Sequence, residues 1–243
     1  MPRFCRFSLF VIFAVCSTTA SAQPFVDLLS DSSLSHWMKP NGDAVDGGWI
    51  LEPDGTLHLN GKGGNVITRQ QYGDFELWFE FRIAQKGNSG IKYRVTDYSG
   101  SLLGCEYQIL DDAAFPELDR GHLTASLYDV FPTIPLQTRQ NPAGQFNIGK
   151  VVVHNNRVQH WVNGQLTIDE CIGSPRWHEH VSNSKFADKQ NFGQNQFGHV
   201  MLTDHGSEVW YRNVFIRSLS SPSCPTPQLV QAAQVNSLSA ANP

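Results

Sequence analysis

The sequence predicts an all-β fold: an antiparallel β-sandwich of jelly-roll type with long loops gathered at one rim. Three observations carry that expectation. Apolar and polar residues alternate with a period of two in several stretches, Gly and Pro punctuate the chain at short intervals, and helical periodicity is scarce.

At the N-terminus, Arg3 and Arg6 precede an apolar run, Phe7 to Val15, that is too short to span a bilayer but suits a secretory leader. Ala20-Ser21-Ala22 supplies a small-x-small cleavage site, so residues 1–22 are read as a signal peptide and the mature chain begins near Gln23. A lipid anchor on Cys16 is the lesser reading, because Val15 stands where a lipobox needs a small residue. No later segment has the ~20 apolar residues of a transmembrane helix, so the expected location is the periplasm or the cell exterior, with no membrane partner after leader removal.

Residues 23–219 are read as one sandwich domain. From Asp74 to Ile83 the residues Phe75, Leu77, Phe79, Phe81 and Ile83 fall on one face, and Glu76, Trp78, Glu80 and Arg82 on the other. Ile91, Tyr93 and Val95 alternate with Lys92 and Arg94. Val158, His160 and Val162 lead into Asn163-Gly164, a two-residue hairpin signal, before Leu166 and Ile168. Val200 and Leu202 reach a turn at Asp204-His205-Gly206; Val209 and Tyr211 then share one parity and Val214 and Ile216 the other, which predicts a bulge near Arg212-Asn213. Two stretches, Asp112 to Gln145 and Gly173 to Gln196, read as long rim loops, the second made functional by Trp177, Phe186 and Phe192. After Leu219, Ser, Pro, Ala and Gln dominate, and residues 220–243 read as a disordered tail.

The net charge of -4, with no basic cluster, argues against nucleic acid as a partner and suits a neutral polar ligand. Of five cysteines, Cys5 and Cys16 leave with the leader. Cys105, Cys171 and Cys224 then allow at most one internal disulfide, with Cys171 pairing to Cys105 or to Cys224. Their spacing matches no zinc motif. No cofactor is evident; calcium or another divalent metal would find only scattered oxygens, Asp111 and Asp112 among them, and no Asp-x-Asp loop. The oligomeric state is not legible.

Several strings, taken in order, carry a resemblance. They are Gly73-Asp74-Phe75-Glu76-Leu77, Asn88-Ser89-Gly90-Ile91 with Arg94, Glu106-Tyr107-Gln108-Ile109-Leu110-Asp111, Trp161-Val162-Asn163-Gly164, and Asp204-His205-Gly206 followed by Val209, Arg212-Asn213-Val214 and Ile216. From about Phe25 to Leu219 the chain resembles the 3-keto-disaccharide hydrolase domain family. That resemblance implies a concanavalin A-like lectin/glucanase sandwich and, as substrate, a 3-keto-glycoside or 3-keto-disaccharide. Three positions depart from the family pattern: Cys105 stands where a glycine is common, Phe146-Asn147 replaces tryptophan-asparagine, and Thr203 stands where a glutamine often precedes Asp-His-Gly.

Glu106 and Gln108 leave the same face of one strand, placing a carboxyl beside an amide. Arg94 presents a fork of donors suited to a sugar carbonyl, and His205 a titratable imidazole in a turn beside Asp204. Trp78 is the candidate sugar-stacking aromatic, while Asp111, Tyr128, Asp204 and Arg212 are candidate substrate contacts; Trp37, Trp49 and Trp161 read as core or edge cover. In the elimination that the resemblance implies, the base is Glu106 or His205, the other protonates the leaving group, and Arg94 and Gln108 stabilise the enolate. The alternative is a non-catalytic carbohydrate-binding module on the same fold, with a structural or adhesive domain as a further reading.

Overall fold

The computed structural model describes residues 23–60, 62–135 and 140–219. The expected signal peptide and C-terminal tail therefore lie outside the described residues. Among the described residues thirteen strands form two antiparallel sheets. The larger contains β1 (Val26–Asp27), β3 (Trp49–Leu51), β4 (Leu57–Leu59), β6 (Phe75–Ile83), β9 (Asn147–His154), β10 (Arg157–Val162), β11 (Gln165–Cys171) and β13 (Val209–Ser218). Its order is β11-β10-β9-β6-β13-β4-β3, with β1 also paired to β13. The smaller runs β2-β5-β12-β7-β8, from β2 (Trp37–Met38), β5 (Val66–Thr68), β7 (Asn88–Asp97), β8 (Leu102–Leu110) and β12 (His199–Leu202).

The alternation read from the sequence is the reason the sheets stack. Phe75, Leu77, Phe79, Phe81 and Ile83 of β6 are all buried, as are Ile91 and Tyr93 of β7 and Tyr107 and Ile109 of β8. Each such side chain contributes roughly 1.5–3 kcal/mol by leaving water. Phe79 meets Tyr107 edge-on across the core, with ring centroids 5.1 Å apart. The expected bulge in β13 is present: the register shifts between Arg212 and Phe215, Asn213 takes φ 51, and Val209, Tyr211, Val214 and Ile216 all end up buried. Asn163-Gly164 adopts φ 47 and 79, the doubly positive pair of a type I′ hairpin turn.

A second register shift, between Tyr93 and Thr96 in β7, leaves no trace in the period-two pattern until it is seen. There Arg94 takes φ 48, and Val95 no longer packs between the sheets but joins Ile67 and Met201 in a small apolar cluster on the outer side of the smaller sheet. Asn88-Ser89-Gly90, part of one of the strings that carry the resemblance, opens β7.

The two expected rim loops are more structured than the sequence suggests. Residues around Ala125–Phe131 run back along the free edge of β8: Ala125 N–H donates to the Gln108 carbonyl at 2.9 Å, and Tyr128 N–H to that of Glu106 at 3.0 Å. This covers an edge that would otherwise offer unpaired backbone groups. Within Gly173 to Gln196 lies a helix, α1 (Pro175–Ser182), begun by Pro175 in its first turn and capped by Ser174, whose Oγ accepts from Trp177 N–H at 3.1 Å. Trp177, Phe186 and Phe192 are buried and serve the core, not a ligand. Ser174→Ala should therefore cost about 1 kcal/mol, seen as a lower urea midpoint at unchanged slope.

Cys105 and Cys171 are free thiols, so the Cys105–Cys171 pairing is not formed; Cys224 lies outside the described residues. Burial pushes the Cys105 thiol up to about 12. Among the described residues no helix is long and apolar enough to cross a membrane.

Candidate functional site

Because Cys105, Tyr107 and Ile109 point into the core, Glu106 and Gln108 point out of the smaller sheet. The register places Met201 of β12, Lys92 of β7 and Glu106 of β8 side by side in one row, with Gly90 and Gln108 paired in the next. Glu106 is 5% exposed, and its two carboxylate oxygens face different nitrogens: Lys92 Nζ is 3.8 Å from Oε2, and His205 Nε2 is 4.0 Å from Oε1.

Gly90 is what makes this possible. A Cβ at that position would sit 2.3 Å from Glu106 Oε1, inside contact distance, so the carboxylate leans over bare backbone. Gly90→Ala is expected to displace the carboxylate at little cost in stability, since the end of a flexible side chain can move. An almost unchanged thermal midpoint, with the Glu106 side chain displaced in the variant's structure, would be the signature.

His205 is carried by the turn between β12 and β13, and the neighbouring residues hold that turn in place. Thr203 N–H and Oγ1–H both donate to the Gly90 carbonyl, at 3.0 and 3.1 Å. Asp204 accepts from Gly64 N–H at 2.8 Å and Gly206 N–H at 2.7 Å, and its own N–H donates to Asn65 at 2.9 Å. Asp204, expected to touch substrate, is thus the clamp that places His205.

Gln108 is buried, and its amide nitrogen donates to Asn88 Oδ1 at 3.4 Å and to the His122 carbonyl at 3.3 Å. Tyr128 lies close by. Burial first, then the negative charges of Glu106 and Asp129, raise its phenol above the ordinary range. Lys185 Nζ sits 3.9 Å from the Tyr128 ring centroid. Desolvation lowers the Lys185 ammonium and Lys92 adds to this, while Glu106 and Asp129 oppose it. His122 holds Asp129 Oδ1 at 2.9 Å through Nε2 and Asp119 Oδ1 at 3.1 Å through Nδ1, and its ring meets Tyr128 edge-on.

Glu106, Gln108, His205 and Tyr128 are thus brought together, and four expected members, Arg94, Arg212, Trp78 and Asp111, are elsewhere. Arg94 turns away at its bulge: Nε donates to the Gly73 carbonyl and Nη2 to Asp74 Oδ1, both at 3.0 Å, leaving it 2% exposed. It ties the start of β6 to β7 and presents no fork to a ligand. Arg212 and Trp78 lie on the outer side of the larger sheet, Arg212 Nε donating to Glu80 Oε2 at 2.8 Å. A shared polar parity along the sequence does not separate the outer faces of two different sheets.

Asp111 accepts from Lys86 N–H at 2.8 Å and so closes the turn before β7. Asp112 accepts from Thr124 N–H at 3.0 Å and Oγ1–H at 2.9 Å, and burial raises its carboxyl. Among the described residues no group of three or more His, Cys, Asp or Glu gathers as metal ligands would.

The sequence reading did not single out Lys92, Gly90, His122 or Lys185. Lys92 was discoverable, since it shares the polar parity of β7 with Arg94; only the bulge decides which of the two cations reaches Glu106. His122 and Lys185 come from segments without periodicity, and no local signal marks them.

Residues 24–217 match the model of the 3-keto-alpha-glucoside-1,2-lyase-like domain. The 3-keto-disaccharide hydrolase of Bacteroides thetaiotaomicron is 27% identical over 233 residues, an alignment covering 82% of this chain and 79% of that protein. A solved structure of a provisionally named glycosyl hydrolase from Parabacteroides distasonis superposes with a TM-score of 0.71 at 26% identity, covering 81% of this chain and 94% of the other. The β-glucanase of Bacillus licheniformis shares the fold, with a TM-score of 0.50 at 12% identity over 83% of this chain and 100% of its own. Matched from residue 24 before the first strand to residue 217 in the last, the chain belongs to the 3-keto-alpha-glucoside-1,2-lyase-like domain family.

Proposed function

We propose that this chain is a carbohydrate-active enzyme, exported to the periplasm or beyond, that cleaves 3-keto-glycosides by elimination across C1–C2 followed by hydration. The observation that carries the reading is the nearly buried Glu106 carboxylate with Lys92 and His205 each facing a different one of its oxygens. Such a group, poised on a sheet face beside a titratable imidazole, is the arrangement general acid–base chemistry requires.

The C3 carbonyl acidifies the C2 proton. Glu106 removes that proton, and the electron pair passes into the carbonyl to give an enolate whose oxygen Lys92 stabilises. The enolate then expels the C1 substituent, which leaves as an alcohol by taking a proton from His205. Water adds to the resulting C1–C2 double bond, hydroxyl to C1 and hydrogen to C2, giving the free 3-keto sugar. Acid–base groups of this kind contribute about 10²–10⁴-fold, and a fixed donor at a developing oxyanion about 10²–10³-fold. Gln108 and Tyr128 line the same surface and orient hydroxyls. Lys92 takes the electrophilic role expected of Arg94.

The test is direct: purified protein incubated with 3-keto-trehalose or a 3-keto aryl glucoside should release the aglycone and free 3-keto sugar. Saturable sugar binding with no product under any condition would leave a binding module in place of the enzyme.

A further inference from the structure

The outer side of the larger sheet carries a feature the proposed chemistry does not use. A row of paired residues crosses four strands there: Trp161 of β10, Lys150 of β9, Trp78 of β6 and Phe215 of β13. Beside it opens a hollow of about 880 Å³ whose floor includes Trp78, Phe215, Ile148 and Phe25. Trp78 is 37% exposed, Phe25 41% and Ile148 47%, so three large apolar side chains meet solvent on a face where polar residues would be expected to alternate outward.

The polar groups around this floor are already organised. Trp78 Nε1–H donates to Glu76 Oε1 at 2.8 Å, so what the indole offers a ligand is its ring. Glu76 is held by Arg217 at 2.8 Å, and Glu80 by Arg212 at 2.8 Å and by the Asn213 amide at 2.6 Å. Lys150 Nζ sits 4.8 Å from the Trp78 centroid and 4.2 Å from that of Trp161. Two carboxylates thus balance two guanidiniums, and Lys150, which keeps its charge, packs against two indoles, so no cluster of free cations stands ready for an anion. A protein partner would have to bury those ion pairs and bear their desolvation. A sugar would not: its C–H face covers the rings while its hydroxyls replace water at the rim.

We propose that this face is a second, non-catalytic binding site for a neutral, unoxidised pyranose oligosaccharide, stacked on Trp78 and hydrogen-bonded by the Glu76, Glu80 and Asn213 rim. The row is about 14 Å across at ordinary strand spacing, room for more than one ring. It lies on the opposite side of the sandwich from Glu106, so a glycan held there leaves the candidate catalytic face free.

Maltohexaose and cellohexaose, titrated into the whole secreted chain, provide the test. At least one should bind with a Kd of order 1 mM or tighter and should shift the Trp78 indole N–H resonance, assigned by its loss in Trp78→Phe. Trp78→Ala should weaken that binding by about tenfold or more, whereas Glu106→Gln should leave it unchanged. Because the indole shift is read in the wild-type protein and assigned with the conservative Trp78→Phe, the test survives misfolding of Trp78→Ala. No shift with either sugar, binding lost in Glu106→Gln, or a Trp78→Ala change in sedimenting mass in place of sugar affinity would each overturn the proposal. None of these readouts depends on whether 3-keto substrates are cleaved.

Discussion

Glu106→Gln is expected to lower kcat/KM on a 3-keto aryl glucoside by about 10³-fold or more while leaving the fold intact. The amide is isosteric with the carboxylate, so Gly90 still accommodates it, but it cannot take the C2 proton. Stability should hold, because the substitution removes a charge from a position only 5% exposed and leaves Lys92, at 16% side-chain exposure, able to reach water. Lys92→Met should cost about 10²-fold by removing the donor at the enolate oxygen. The double variant should be little worse than Glu106→Gln alone, as groups acting on one step are not additive. Stopped assays of aglycone release, with thermal midpoints recorded in parallel, decide the matter. A Glu106→Gln enzyme keeping more than about a tenth of wild-type turnover would remove this carboxylate from the chemistry.

The second large effect concerns stability and pH. His160 of β10 is wholly buried between the sheets, and burial pushes its imidazole down to about 3. Its neutral form is specified by its partners: Nδ1–H donates to the Ala125 carbonyl at 3.3 Å, and Nε2 accepts from Tyr93 O–H at 2.8 Å. The unfolded chain takes up this proton near pH 6.5 and the folded one only near 3. The contribution is therefore complete above about pH 6.5 and is lost progressively as pH falls towards about 3, a few kcal/mol in all. In His160→Leu that dependence disappears. At pH 7.5 the variant should be about 1–3 kcal/mol less stable, because Tyr93 O–H loses its acceptor while Thr167 Oγ1–H still serves the Ala125 carbonyl at 2.9 Å. Near pH 4.5 the gap should close or reverse. Urea titrations of both proteins across this range test the point, and parallel stability curves would refute it.

His160 also shows where sequence reading stops. Its parity with Val158 and Val162 assigns it to the core side of its strand, yet nothing local names Tyr93 and Ala125 as the groups that make burial tolerable. The same holds at the candidate site. The pairing of Glu106 with Gln108 follows from a period of two, and the turn bearing His205 from its Asp-His-Gly string. The choice between Lys92 and Arg94 does not follow, because one inserted residue in β7 redirects the arginine to Gly73 and Asp74. The helix after Ser174 was legible in principle from Ser-Pro followed by a well-spaced Trp177 and Val181, although its shortness hid the period.

Taken alone, the order of residues determined which side chains turn inward, where one hairpin turn, one turn between the sheets and one bulge fall, and that the result is a two-layer β-structure. Those features depend on interactions between near neighbours along the chain, and period and turn chemistry report them. Only the tertiary structure decided which polar surface belongs to which sheet. Trp78 and Glu106 carry the same outward parity on their strands, and the stacking of two sheets back to back sends them to opposite sides of the molecule. Register across strands distant in sequence, set by the burial of the whole core at once, places Lys92 and His205 on Glu106; no shorter-range rule contains that information.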